Sequence, residues 1–308
     1  MKPVVVLAAC AALLLGACTS ADAGTDGRMP VTAAFYPLQF VLERVGGEHV
    51  RVTSLTRPGV EPHDLELTPR AVGELARARA VVYLAGFQPA VDAAVRTQAP
   101  DAGVDVTPAA RLTLSAGDDH AGEPARQHAD HAVSGAADPH FWLDPTRLAD
   151  VATALGEDLA RRDPANAGDY GTNAVAVAVD LDRLDAEFRT GLAHCRTREL
   201  VTGHAAFGYL ADRYDLHQEG VAGVSPDIEP DAATLRDLSA HVRDAGVSTV
   251  YSESLVSPAL AETVAREAGA RVAVLDPLEG ITDVSRGRDY LQVMRANLAT
   301  LRAGQECR

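Results

Sequence analysis

Along most of the chain, short runs of β-branched and aliphatic residues alternate with longer stretches in which apolar positions recur every three or four residues. Residues 31–35, 50–55, 80–85, 104–106, 199–202, 249–252 and 272–275 are short runs rich in β-branched and other apolar residues. Such runs predict short strands covered on both faces, as in a parallel sheet. Between them, Thr68-Pro69, Thr107-Pro108, Asp144-Pro145, Asp163-Pro164 and Ser257-Pro258 each set a capping side chain before a proline at the first helical position. Strand, helix, strand repeated in this way predicts α/β architecture.

One helical pattern is longer than the rest. Tyr170, Ala174, Val177, Leu181, Leu184, Phe188 and Leu192 form a single stripe, with no proline after Pro164. Gly171 and Gly191 weaken the pattern without breaking it. About 30 residues at 1.5 Å each span roughly 45 Å, longer than most domain helices. The helix, residues 163–193, is expected to join an N-terminal α/β lobe, 29–162, to a C-terminal α/β lobe, 194–308. The expected fold is therefore two lobes with parallel sheets flanked by helices, on one backbone helix.

The N-terminus adds a location. Lys2 precedes an apolar run from Val4 to Leu15, and small residues lead into Cys18. That is a secretory signal peptide, residues 1–17, too short to span a bilayer. Leu15-Gly16-Ala17-Cys18 resembles a bacterial lipobox, with cleavage before Cys18 and lipid on its thiol; the alternative is a plain signal peptide with a coincidental cysteine. Residues 18–28 are small and polar, as a tether should be. The expected product is a soluble body outside the cytoplasm, lipid-anchored to the outer face of the cell membrane, or periplasmic where there is an outer membrane. Cys10 leaves with the signal, so Cys195 and Cys307 remain, and in an oxidising compartment they are expected to pair; two free thiols are the alternative. A net charge of −15 argues against nucleic acid or anionic lipid as partner.

The most histidine-dense stretch is DDHAGEPARQHADH, residues 118–131, inside an aperiodic segment 115–137. A loop of that length in a compact domain is usually either disordered or functional. His120, His128 and His131 lack a strand-end setting, so they are read as an accessory loop able to hold metal weakly, against a solvated acidic loop with no role. Better placed are His63 in VEPHDLELTP, His140 in DPHFWLDPTRL, His204 in LVTGHAAFGYLADRY and Asp276 in VAVLDPLEG. Each falls where a predicted strand gives way to a connection, at the edge where parallel α/β sheets bind ligands. Two come from each lobe, which places one site in the cleft between them. Three imidazoles and a carboxylate suit tetrahedral Zn²⁺. His49, His194, His217 and His241 have no such setting and are assigned to surface or packing.

Five blocks, EPHDLELTP (61–69), DPHFWLDP (138–145), TGHAAFGYLADRY (202–214), GVSPDIEPDAATL (223–235) and VLDPLEG (274–280), make the chain resemble the zinc/manganese family of substrate-binding proteins that serve ABC transporters, the ZnuA-like cluster A-I. The resemblance implies two similar α/β lobes joined by a long helix, with His63, His140, His204 and Asp276 at the metal-ligand positions. Histidine at the third position is the zinc type, whereas manganese members carry glutamate there, in keeping with the oxygen preference of Mn²⁺. It also implies a monomer that delivers Zn²⁺ to an ABC permease with a separate ATPase; no GxxxxGK[ST] loop is present in this chain. Glu61 is read as an exposed loop acid, with a carboxylate behind the metal or a substitute ligand as the alternatives. The rivals are a manganese-binding member, a zinc hydrolase, disfavoured by four protein ligands and no HExxH, and a metal-independent adhesin. The long helix predicts modest lobe rocking rather than wide closure.

Overall fold

The structure is a computed structural model that describes residues 27–115, 137–226 and 230–308. The signal peptide, Cys18, nearly all of the tether and His120, His128 and His131 lie outside the described residues. The two residues that flank the histidine-rich stretch, Ser115 and Ala137, pair in an antiparallel bridge.

The N-terminal lobe runs β1 (Met29–Ala33), α1 (Tyr36–Gly46), β2 (Val50–Ser54), α2 (Pro69–Leu75), β3 (Ala80–Tyr83), α3 (Pro89–Gln98), β4 (Gly103–Asp105), α4 (Thr107–Ala110) and α5 (Pro145–Arg162). After α6 (Ala167–Gly191), the C-terminal lobe runs β5 (Glu199–His204), α7 (Gly208–Tyr214), β6 (His217–Ala222), α8 (Ala232–Asp244), β7 (Thr249–Ser252), α9 (Ala259–Ala268), β8 (Arg271–Val274) and α10 (Tyr290–Gly304). Each lobe carries a four-stranded parallel sheet, in the orders β2-β1-β3-β4 and β6-β5-β7-β8. The second order is the first with every strand advanced by four, so the lobes are alike in topology. Both sheets turn their carboxyl edges toward the site described below.

Helix α6 is the predicted backbone helix, shortened at its start. Residues Pro164–Asn166 form a 3-10 turn, and the α-helix proper has 25 residues. At 1.5 Å per residue it is about 37 Å long. All seven stripe residues from Tyr170 to Leu192 are buried. One apolar cluster runs from β1 and α1 through α5 and α6 to Leu275, Tyr290 and Met294 of the C-terminal lobe. The lobes therefore share a core instead of touching across a wet hinge. A smaller cluster, including Val201, Val242 and Val264, joins the C-terminal sheet to α8 and α9.

Of the five predicted cap sites, Thr68 and Asp144 cap as expected, accepting from Ala71 N at 3.2 Å and Thr146 N at 2.9 Å. Strand β6 was not legible, because HQEGVA is polar and lies at a sheet edge. At the other edge, Val272 and Val274 of β8 are each 40% exposed, so burial on both faces holds for the central strands only. The cysteines pair as expected: Cys195 and Cys307 form a disulfide that closes 112 residues. Among the described residues no helix is long and apolar enough to cross a membrane.

Candidate metal centre

Three of the four expected ligands meet. His63 lies in the connection between β2 and α2, where the Pro62 carbonyl accepts from the buried Gln88 amide at 3.0 Å. His140 precedes a 3-10 turn, Phe141–Leu143, that leads to the Asp144 cap of α5. His204 is the last residue of β5. The fourth group is not Asp276 but Glu279, three residues on: among the described residues His63, His140, His204 and Glu279 are the one such set that could hold a metal ion.

The reason lies in the turn. Asp276 Oδ1 accepts from Leu278 N at 2.8 Å and Oδ2 from the Ser285 hydroxyl at 3.1 Å, so both oxygens are engaged away from the histidines. A carboxylate bonding the backbone two residues on is a common turn device. Here it holds Leu278 at φ +60, a left-handed conformation that a buried leucine rarely adopts. Asn297 of α10 adds two bonds to the Asp276 backbone, at 3.0 and 2.7 Å, and Trp142 Nε1 donates to the Pro277 carbonyl at 2.8 Å. Asp276 thus shapes the turn, and the turn aims Glu279. Burial raises the Asp276 carboxyl above the usual carboxylate range, whereas a ligand would be held charged.

Glu279 Oε1 lies 3.1, 3.2 and 3.6 Å from Nε2 of His63, His140 and His204, and His140 Nε2 lies 3.2 and 3.4 Å from those of His63 and His204. These are five of the six separations among four donor atoms that all lie within 4.8 Å of one another, and their lengths suit the edges of a tetrahedron. The centre of such a figure is about 2.0 Å from each corner, the length of a Zn–N or Zn–O bond. Nitrogen lone pairs converging this closely in a dry pocket repel one another unless a cation or proton sits among them. Glu279 Oε2 is buried and makes no hydrogen bond among the described residues, a second sign that the site is built around a positive charge.

Behind two of the imidazoles stand carboxylates that the sequence reading missed. Asp138 Oδ1 accepts from both N and Nδ1 of His140, at 2.9 and 2.7 Å. Glu253 accepts from His204 N at 2.6 Å and from its Nδ1 in a very short bond. Each carboxylate fixes the tautomer that leaves Nε2 free to bind metal. The Glu253 contact follows from sheet register. Thr202 pairs with Tyr251, so two residues further along both strands His204 meets Glu253. Gly203 makes room, since a Cβ there would lie 2.7 Å from Glu253 Oε1. His63 is held differently. Its ring packs edge-on against Phe87 at 4.8 Å, and its N–H donates to Glu61 at 3.0 Å. Glu61 is therefore no exposed loop acid: its side chain is 20% exposed and 3.8 Å from His63 Nε2.

These placements set the charges. Burial lowers His63 below the ordinary histidine range despite the Glu279 hydrogen bond. Burial also opposes charge on His140 and His204, but Asp138 outweighs it for the first and Glu253 for the second; His204 ends well above its ordinary value. Burial would raise Glu279, yet its bonds to His140, His204 and His63 hold it well below the carboxylate range. Proton affinity in the centre is thus concentrated on His140 and His204, while Glu279 is favoured as the charged carboxylate.

Two α/β lobes on a shared helix, with two metal-type ligands from each lobe enclosed between them, define a metal-capturing binding protein. Residues 31–304 match the family model described as zinc-uptake complex component A, periplasmic, and the chain belongs to that family. It is 34% identical over 288 residues to the zinc-binding protein AdcA of Streptococcus pyogenes serotype M3, covering 90% of this chain and 56% of that one. The chain thus spans little more than half the length of the AdcA relatives it matches. It is 32% identical to the high-affinity zinc uptake system protein ZnuA of Bacillus subtilis strain 168, over 96% of this chain and 95% of that one. Among solved structures, the laminin-binding protein Lmb of Streptococcus agalactiae, described as having adhesin and metal-transporting activity, superposes with a TM-score of 0.76 at 28% identity, over 90% of this chain and 99% of that one.

Proposed function

We propose that the chain captures Zn²⁺ between its lobes through His63, His140, His204 and Glu279 and delivers it to an ABC permease driven by a separate ATPase. The observation that carries this reading is the convergence of four donor atoms, five of whose six separations are 3.1–3.6 Å. Three nitrogens and one oxygen favour zinc over manganese, which takes more oxygen. Four protein donors leave no open position for a hydrolytic water, so the site holds an ion rather than activating one. Cleavage before Cys18, lipid on its thiol and a monomeric body outside the cytoplasm complete the reading. His120, His128 and His131 serve as an accessory loop, and deletion of residues 118–131 is expected to spare the tight site.

Zinc titration of the full chain against a competing chelator tests the core of it. His63→Ala, His140→Ala and His204→Ala are each expected to abolish tight binding; full affinity in all three would refute the site. Asp138→Asn and Glu253→Gln are expected to weaken binding by about 10- to 100-fold, the usual effect of removing the partner behind a metal-bound histidine.

The pH dependence has a definite sign. Zinc must displace the Nε2 protons whose loss the charges of Asp138 and Glu253 oppose on His140 and His204, both raised above the ordinary histidine value, while the Nδ1 protons stay in the bonds to those carboxylates. Affinity therefore falls as pH drops through those raised values, and binding at neutral pH releases protons. His63, already kept neutral by burial, contributes little to that release. Calorimetry in buffers of different ionisation enthalpy measures the proton count; a count of zero would contradict this charge assignment.

A further inference from the structure

A hydroxyl outside the centre holds its two lobes in register. Tyr209 lies on α7, five residues after His204. Its ring is buried, and its hydroxyl accepts from Thr113 N at 3.1 Å and Leu114 N at 3.3 Å while donating to the Asp138 carbonyl at 3.2 Å. All three partners belong to the N-terminal lobe. Asp138 N also donates to Leu114 O at 3.0 Å, so the two segments that the hydroxyl bridges are paired with each other. Arg147 backs the arrangement: its guanidinium lies 4.5 Å over the Tyr209 ring and donates to Ala110 O at 3.1 Å and to the Thr113 hydroxyl at 3.0 Å. The contact is close-packed at the start of α7, where a Cβ on Gly208 would lie 2.8 Å from Asp138 Oδ2.

We infer that Tyr209 is a positioning residue for the metal centre, acting through Asp138 on His140. The Asp138 carboxylate orients the His140 ring, and the Tyr209 hydroxyl fixes the backbone that carries that carboxylate. Residues 204–209 then deliver one ligand directly and register the ligand of the opposite lobe, so His140 and His204 keep their spacing when the lobes shift. This deepens the zinc-capture reading and rests on it for the identity of the ion.

Tyr209→Phe in the full chain removes the hydroxyl and keeps the ring over Arg147. Zinc affinity is expected to fall about tenfold, in the range found when the partners behind metal ligands are lost. The Co²⁺ absorption bands of the substituted protein are expected to shift. In the double variant with Asp138→Asn, the loss should not exceed that of Asp138→Asn alone, because the two residues act in series. A variant that loses thermal stability with unchanged affinity, or losses that add in full, would overturn the inference and leave Tyr209 a packing residue. The metal-free protein supplies an independent arm: the NMR signal of the His140 Nδ1 proton shared with Asp138 should move upfield in Tyr209→Phe, and an unmoved signal overturns the inference. If wild-type protein failed to bind zinc tightly, the zinc reading would fall, and this arm would still decide the role of Tyr209.

Discussion

Replacing Glu279 with alanine is expected to lower zinc affinity by on the order of a hundredfold or more, beyond the effect of losing a partner behind a ligand, while Asp276→Asn changes it only a few-fold. The two carboxylates lie three residues apart after the same strand, and their surroundings are opposite. Glu279 Oε1 is within 3.6 Å of all three imidazole nitrogens, and its other oxygen has no donor among the described residues. Asp276 spends its oxygens on Leu278 N and Ser285. Asparagine keeps the first bond, and the serine hydroxyl can turn to accept from the new amide. Alanine at 276 is a different change, because it frees the left-handed Leu278 from the bond that holds it. About 1–3 kcal/mol of folding stability should be lost, the usual cost of a strained residue or an unmade buried bond. Glu279→Ala should therefore read out in metal titration and Asp276→Ala in denaturant unfolding. If Asp276→Asn proved as damaging to binding as Glu279→Ala, the fourth ligand would be misassigned.

The misplacement of that ligand marks how far the sequence could be read. Asp276 satisfied the rule that ligands follow strand ends, and the rule located the correct turn. It could not say which acid in DPLEG points inward, since that depends on the φ of Leu278 and on Asn297, far along the chain. His63, His140 and His204 were legible because each sits beside a strong local signal: a capped helix for the first two, a strand end for the third. Glu253 has the same strand-end setting, directly after β7, but only the β5–β7 pairing brings it to His204. Asp138 was within reach of local reasoning, two residues before His140 in DPH. The stripe of α6 survived intact because a helix repeats its signal over many turns. Strand β6 gave no signal, since an edge strand needs little apolar surface; Gly220 is there for backbone proximity, its Cβ position lying 2.8 Å from Ala205 N. The shared core also bears on motion. Trp142 donates to Pro277 across the lobes, and Tyr290 donates to the Trp142 carbonyl at 2.5 Å, both next to the centre. Wide separation of the lobes would break these bonds and open the common core, so small adjustments of the His63 connection are the less costly way to admit an ion.

Removing the disulfide is expected to lower stability by about 2–4 kcal/mol while leaving zinc affinity unchanged. The bond between Cys195 and Cys307 closes a loop of 112 residues, and chain-entropy arguments give roughly 4–5 kcal/mol for a loop of that size. The realised value should be smaller, because other contacts hold the C-terminal tail. Gln305 O accepts from Arg196 N at 3.0 Å, Arg308 N donates to His194 O at 3.0 Å, and Arg196 forms a forked pair with Glu306 at 2.7 and 2.8 Å. That pair is exposed and adds little. At about 2–4 °C per kcal/mol for a chain approaching this size, Cys195→Ser with Cys307→Ser should melt roughly 5–15 °C lower, and reductant should bring wild-type protein to the same point. Zinc affinity should hold because the bond and the centre lie at opposite ends of β5, which runs from Glu199, close to Cys195, to His204. Six residues of strand separate them by about 20 Å. A melting point insensitive to reductant would mean that the tail is held by its hydrogen bonds alone. Lost zinc affinity in the double serine variant would mean that β5 transmits strain from its start at Glu199 to its end at His204.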